Sequence, residues 1–249
     1  ERLAIYGASL TWEHDLFTLE GFYREGHFHW GYEGDFFGLY REAFYGPNLD
    51  IYNGVAPVGF ELTGKAALQG LHVAFGPQLW WGANPAVMAL YRREVGGVAI
   101  AVAHQEDLAP QGTVDASFAI PEQVTRKTTL SLAAARGPVE VELGGIMAGT
   151  ERVGRGFTMV TDAPEGEGYL GSGYHVLDDQ IEILDTLGGR GRITGEKGRV
   201  HLLLDGAVKG LVADGGVDRT QVFTGWSLRQ SQRGNQVGGS AGLAVDLGP

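Results

Sequence analysis

A strict alternation between large apolar and small residues runs through most of this chain, and it confines the chain to β-structure. It is cleanest near the C-terminus. In Arg199–Ala213 one face carries Val200, Leu202, Leu204, Gly206, Val208, Gly210 and Val212, and the other His201, Leu203, Asp205, Ala207, Lys209 and Leu211. In Gln236–Leu247 the faces are Val237, Gly239, Ala241, Leu243, Val245, Leu247 against Gln236, Gly238, Ser240, Gly242, Ala244, Asp246. A period of two places successive side chains on opposite sides of a pleated strand. At about 12 residues these segments exceed the ordinary strand of about 5–6 residues and approach the roughly 9–11 that cross a bilayer.

The scheme recurs upstream. Within Lys65–Asp107, Leu71, Val73 and Phe75 alternate with Gly70, His72 and Ala74, and Val98, Ile100 and Val102 with Ala99, Ala101 and Ala103. Gly76-Pro77, Asn84-Pro85 and Gly96-Gly97 punctuate these runs as turn formers. Further strands are predicted at Leu3–Trp12, Phe17–Glu25, His27–Glu33, Val58–Thr63, Val114–Ile120, Thr128–Ala134, Val139–Met147, Leu187–Thr194 and Val222–Leu228. A helix could claim Ala86–Glu94, but Pro85 before it and the Gly-Gly after it keep it short. Gly195-Glu196-Lys197-Gly198 is a tight turn that makes Leu187–Ala213 a hairpin. Polar loops are predicted at Glu106–Thr113 and Asp214–Thr220, and a long acidic, glycine-rich one at Met159–Leu184. The expected fold is all-β: an antiparallel up-and-down barrel of roughly 10–14 strands, 1–249 forming one domain.

Composition sharpens this. Glycine is 41 of 249 residues, about twice the usual share. It falls inside strand patterns, where it marks bends and close backbone approach. There is no cysteine, so disulfides and thiolate metal sites are excluded. A net charge of −11 argues against a nucleic-acid partner. No run of 18 apolar residues occurs, and a membrane barrel gives none, because it alternates apolar-out with polar-in. Fourteen of the 25 aromatic residues precede Val55. Such residues fill cores and line sugar grooves, and they also form girdles where a barrel meets lipid head groups. The chain begins at Glu1 and reads as a mature or trimmed chain.

Which face is polar bears on the solvent. A soluble sandwich hides its large apolar face and covers the other with Lys, Glu and Asp. Here the second face is largely Gly, Ala and Ser with scattered charges, which suits a crowded, hydrated interior inside a lipid-facing wall. At the segments YREGHFHWGYEGDFFGLYREAFYG, GLHVAFGPQLWWGANPAVMALYRR, GLVADGG and FTGWSLRQSQRGNQ, the chain resembles bacterial outer-membrane β-barrels of the porin-like kind. The resemblance implies an outer-membrane location, lipid as partner, small solutes or ions as cargo, no cofactor and no enzymatic activity. Such barrels end in a strand with a terminal aromatic residue, whereas this chain ends Leu247-Gly248-Pro249, as a fragment or a chain lacking strands would.

For chemistry, Arg190 and Arg192 share one strand face and are expected to line the lumen with Glu140, Glu142, Asp205 and Lys209, paired as an interior ladder because buried charges need partners. His27, His29 and Glu33 share a face and offer zinc-type donors, but spacing fixes no third ligand among them for a metal site. Asp162, Glu165, Glu167, Asp178 and Asp179 lack calcium-loop spacing and read as solvated. His104-Gln105-Glu106-Asp107 reads as a solvated strand end. No phosphate-loop motif occurs, and no nucleophile elbow or dinucleotide fingerprint is assigned. Glu140 and Glu142, about 7 Å apart along one face, keep an alternative in view: a secreted β-sandwich that binds or hydrolyses polysaccharide.

Overall fold

Among the described residues, fourteen strands carry the alternation into structure. The computed structural model describes residues 5–25, 57–79, 83–110, 126–161, 167–169, 175–213 and 235–246. The strands are β1 (Ala8–Glu13), β2 (Phe17–Tyr23), β3 (Val58–Gly64), β4 (Leu71–Gln78), β5 (Ala86–Val95), β6 (Val98–Asp107), β7 (Arg126–Arg136), β8 (Val139–Ala148), β9 (Gly156–Thr161), β10 (Glu167–Tyr169), β11 (His175–Gln180), β12 (Leu187–Lys197), β13 (Val200–Lys209) and β14 (Gln236–Val245). Eleven form one sheet in the order β1-β2-β3-β4-β5-β6-β7-β8-β12-β13-β14, and every neighbouring pair is antiparallel.

The connections are of two kinds. At one end of the sheet β1–β2, β3–β4, β5–β6, β7–β8 and β12–β13 are joined by turns of two to six residues. Gly96 and Gly97 join β5 to β6 with φ of +61° and +78°. Two left-handed residues in a two-residue loop make the turn whose twist matches that of the strands, and glycine takes it without a Cβ penalty. At the other end the connections are longer, and the one from β8 to β12 carries the separate three-stranded sheet.

The register is slanted. One row of paired residues runs Glu13, Thr18, Thr63, His72, Leu90, Ala103, Thr129, Ile146, Gly188, Lys209, Gln236. It starts at the turn end of β1 and finishes at the opposite end of β14. From that row the turn ends advance by five residues to Val95, by two more from Ala134 to Arg136, and by two more from Gly195 to Lys197, which is level with Val245. Nine residues at about 3.3 Å, spread over ten strand spacings of about 4.8 Å, incline the strands by roughly 30° from the perpendicular to the line of turns.

The two faces differ sharply. On the outer face lie Leu10, Trp12, Phe60, Phe75, Tyr91, Val102, Leu130, Leu143, Ile193 and the apolar residues of β13 and β14. Val200, Leu202, Leu204, Val208, Leu243 and Val245 are 40–71% exposed. The inner face holds the buried residues Phe22, Glu61, Ala74, Ala86, Met88, Leu90, Ala101, Ala103, Gln105, Asp107, Thr129, Ser131, Ile146 and Ala148. Phe22, Ala74, Met88, Leu90 and Ala103 pack there with Leu79, Ala83 and Ala86. Burial fades towards the short turns: Arg92 and Glu94 of β5 share this face and are exposed. Most of the large apolar side chains are thus outside, and the inner face is mostly small and polar apart from Phe22, Met88, Leu90, Ile146 and Leu203.

Several expectations are revised. The antiparallel meander is present, but among the described residues β1 and β14 are each paired on one side only, so closure into a barrel is not seen. Both edge strands run towards the short turns, and joining them directly would make a parallel pair in an otherwise antiparallel sheet. Ala86–Glu94 is strand, since every residue of β5 pairs with β6. The loop expected at Met159–Leu184 contains a sheet, because β9 begins before Met159 and pairs with β11 from Gly156↔Gln180 to Thr161↔His175. Thr158 Oγ1 donates to Asp178 Oδ1 at 2.5 Å across that pair. The β12–β13 hairpin forms as predicted, with β12 continuing to Lys197 and the turn at Gly198-Arg199. His27–Glu33, Val114–Ile120 and Val222–Leu228 lie outside the described residues.

Candidate functional site: a charged inner face

β8, β12 and β13 are adjacent, and their register decides which charges meet. Arg192 pairs directly with Glu142 on one side and Asp205 on the other. Arg190 lies one step along the same face and is diagonal to Asp205. Its Nε donates to Asp205 Oδ1 at 3.1 Å and its Nη2 to Oδ2 at 2.7 Å. Arg192 Nε donates to the same Oδ2 at 3.1 Å, and its Nη1 to Glu142 Oε2 at 3.4 Å. The planar guanidinium of Arg190 matches the carboxylate fork, so Asp205 is gripped on both oxygens and bridges two arginines. All four side chains keep some exposure, Asp205 least at 17%.

Of the six residues singled out from sequence, four join this network. Glu140 shares the face opposite Thr194, is exposed, and has no ion-pair partner among the described residues. Lys209 shares it too, two steps along β13 from Asp205 and level with Gln236.

Other polar groups escaped the sequence reading. Asn84 Nδ2 donates to Asp107 Oδ2 at 3.1 Å, and Gln105 Nε2 to Asp107 Oδ1 at 3.2 Å, all three residues buried. The stretch expected to be a solvated strand end is therefore split by the pleat. Gln105 and Asp107 face inward, while His104 and Glu106 face outward, where His104 Nδ1 lies 2.8 Å from Thr128 Oγ1 and Glu106 pairs with Arg126. Near the short turns His201 Nε2 lies 3.2 Å from Asp246 Oδ2. All four residues of His104–Asp107 are polar, so no hydropathy alternation marked the split.

The inner face of the eleven strands carries nine carboxylates (Glu13, Glu20, Glu61, Glu94, Asp107, Glu140, Glu142, Glu196, Asp205) against five cations (Arg92, Lys127, Arg190, Arg192, Lys209), so it is net acidic. Among the described residues no group of three or more metal-type donors is placed to hold a metal. Asp178 and Asp179 of the acidic stretch are exposed on β11. Asp162, Glu165 and the His27, His29, Glu33 set lie outside the described residues. The chain matches no protein-family model, no curated protein and no solved structure.

Proposed function

We propose that the chain forms the wall of a bacterial outer-membrane β-barrel, a pore or transport protein with a narrow, charged, cation-preferring lumen. The observation that carries this is the inverted polarity of the sheet: most of its Leu, Val, Ile and aromatic residues lie on the exposed face, and the inside is mostly small and charged. In water such a wall exposes far more contiguous apolar area than a monomer tolerates. In lipid it is what a spanning barrel needs. A sandwich would need a second layer over the apolar face, and among the described residues that face is the exposed one.

The slanted register supports the same reading, since closing a sheet requires strands tilted by about 35–45° with a stagger that accumulates around the wall. So does the separation of short turns from long connections. Because β1 and β14 run the same way, antiparallel closure takes an odd number of further strands, for an even total of about 12 or more. The net acidic inner face favours cations over anions. Extraction tests the proposal: the full chain should stay with membranes after carbonate washing and leave only in detergent. A protein that is soluble and monomeric in buffer alone sinks the membrane reading.

A further inference from the structure

Among the described strand residues, charge on the outer face is confined to the strand ends, and the two ends differ. At the long-connection end the charged strand residues are Glu106 and Arg126, which pair with each other. At the short-turn end they are Arg93 on β5, Arg136 on β7 and Lys197 on β12. Arg136 and Lys197 immediately precede the turn glycines Gly137 and Gly198, and Arg93 lies three residues before Gly96. The strand carboxylates of that end, Glu13, Glu94, Glu140 and Glu196, all lie on the inner face. Among the described residues Arg136 and Lys197 have no ion-pair partner, and Arg93 only donates from Nη1 to the Tyr91 hydroxyl at 3.3 Å. In the strand order β5-β6-β7-β8-β12 the three cations stand two strands apart, and the register sets Arg136 four residues beyond Arg93 and Lys197 two beyond Arg136, for separations of roughly 16 and 12 Å.

We infer that these three side chains form a cationic collar at the short-turn rim that binds the phosphate groups of anionic phospholipids in the adjoining leaflet. The inference rests on the barrel reading. An apolar wall ending in unpaired cations sets the charges at head-group depth, where Arg and Lys pair with phosphodiester oxygens. Tyr91, exposed beside Arg93, suits the same layer with its apolar ring and polar hydroxyl. Among the described strand residues the outer-face charges of the opposite rim, Glu106 and Arg126, neutralise each other, so the collar also biases which way the chain sits in the membrane.

The test refolds the full chain into vesicles of phosphatidylcholine, alone or mixed with phosphatidylglycerol, beside the combined variant Arg93→Gln, Arg136→Gln, Lys197→Gln. Each cation near an anionic surface is worth about fivefold in partitioning, so wild type should favour the anionic vesicles on the order of a hundredfold at low salt. The variant should lose most of that preference yet match wild type in phosphatidylcholine. Wild-type preference should shrink in high salt but survive inorganic phosphate at matched ionic strength. A variant that keeps the preference, a wild type that shows none, or competition by inorganic phosphate overturns the collar alone. Failure of both proteins to enter either vesicle overturns the collar and the barrel reading together.

Discussion

Leu204→Arg is expected to destabilise the folded chain in lipid by about 2–4 kcal/mol, the cost of Arg on the lipid face near the bilayer midplane. Leu204 is the middle residue of five on the outer face of β13, with Val200 and Leu202 on one side and Gly206 and Val208 on the other. It sits between Ile193 and Ala241, and the nearest outer-face charge of β12 or β14 is Lys197, two steps along at the turn end of β12. A guanidinium there would have to reach past apolar rows to find water. Leu203, the next residue, is the control. It faces inward opposite Thr194 and Gly242, so Leu203→Arg should cost much less. Denaturant unfolding from vesicles measures both. In a water-soluble sheet the order changes, because Leu204 is 41% exposed and an exposed substitution is usually worth within about 0.5 kcal/mol either way. A Leu204→Arg protein as stable as wild type would therefore remove lipid from the outer face.

The parts of this fold that were legible in sequence are those fixed by local geometry. A short turn after Lys197 sets β12 against β13, and that register alone puts Arg192 opposite Asp205 and Arg190 on the diagonal. Glu142 is different. It reaches Arg192 only because β8 pairs with β12 across a connection of 38 residues, and nothing local in the alternation selects that neighbour. Glu140 and Glu142 look equivalent in sequence, yet register gives Glu142 to Arg192 and leaves Glu140 opposite Thr194. The small sheet of β9, β10 and β11 was missed because its strands are short, β10 having three residues, and Asp178 and Asp179 hide the period of β11. Asp107 was missed for a related reason: a polar residue ending an apolar run resembles the start of a loop until its burial beside Asn84 is seen. Closure is a property of the whole sheet, and no single strand encodes whether β1 meets β14.

Asp205→Asn is expected to cost about 1–2 kcal/mol and to weaken the cation preference of any conductance. Asp205 accepts three of the four charge-assisted bonds in its network, so the neutral amide disturbs both arginines at once. Breaking a fully buried pair costs about 3–5 kcal/mol, but this network keeps contact with solvent, which screens the loss. Arg192→Ala should cost less, because Asp205 keeps both bonds to Arg190 and Glu142 loses only a 3.4 Å contact. The two substitutions act on conductance in opposite directions, one removing a negative charge from the inner face and the other a positive one. Double-mutant cycles separate the pairs: the Arg190–Asp205 coupling should clearly exceed the Arg192–Glu142 coupling. Stability is read by unfolding from vesicles and selectivity by reversal potential in a planar bilayer. Equal couplings in the two cycles would mean that Asp205 does not organise the network, and a reversal potential unmoved by both Asp205→Asn and Arg192→Ala would place this face away from any ion path.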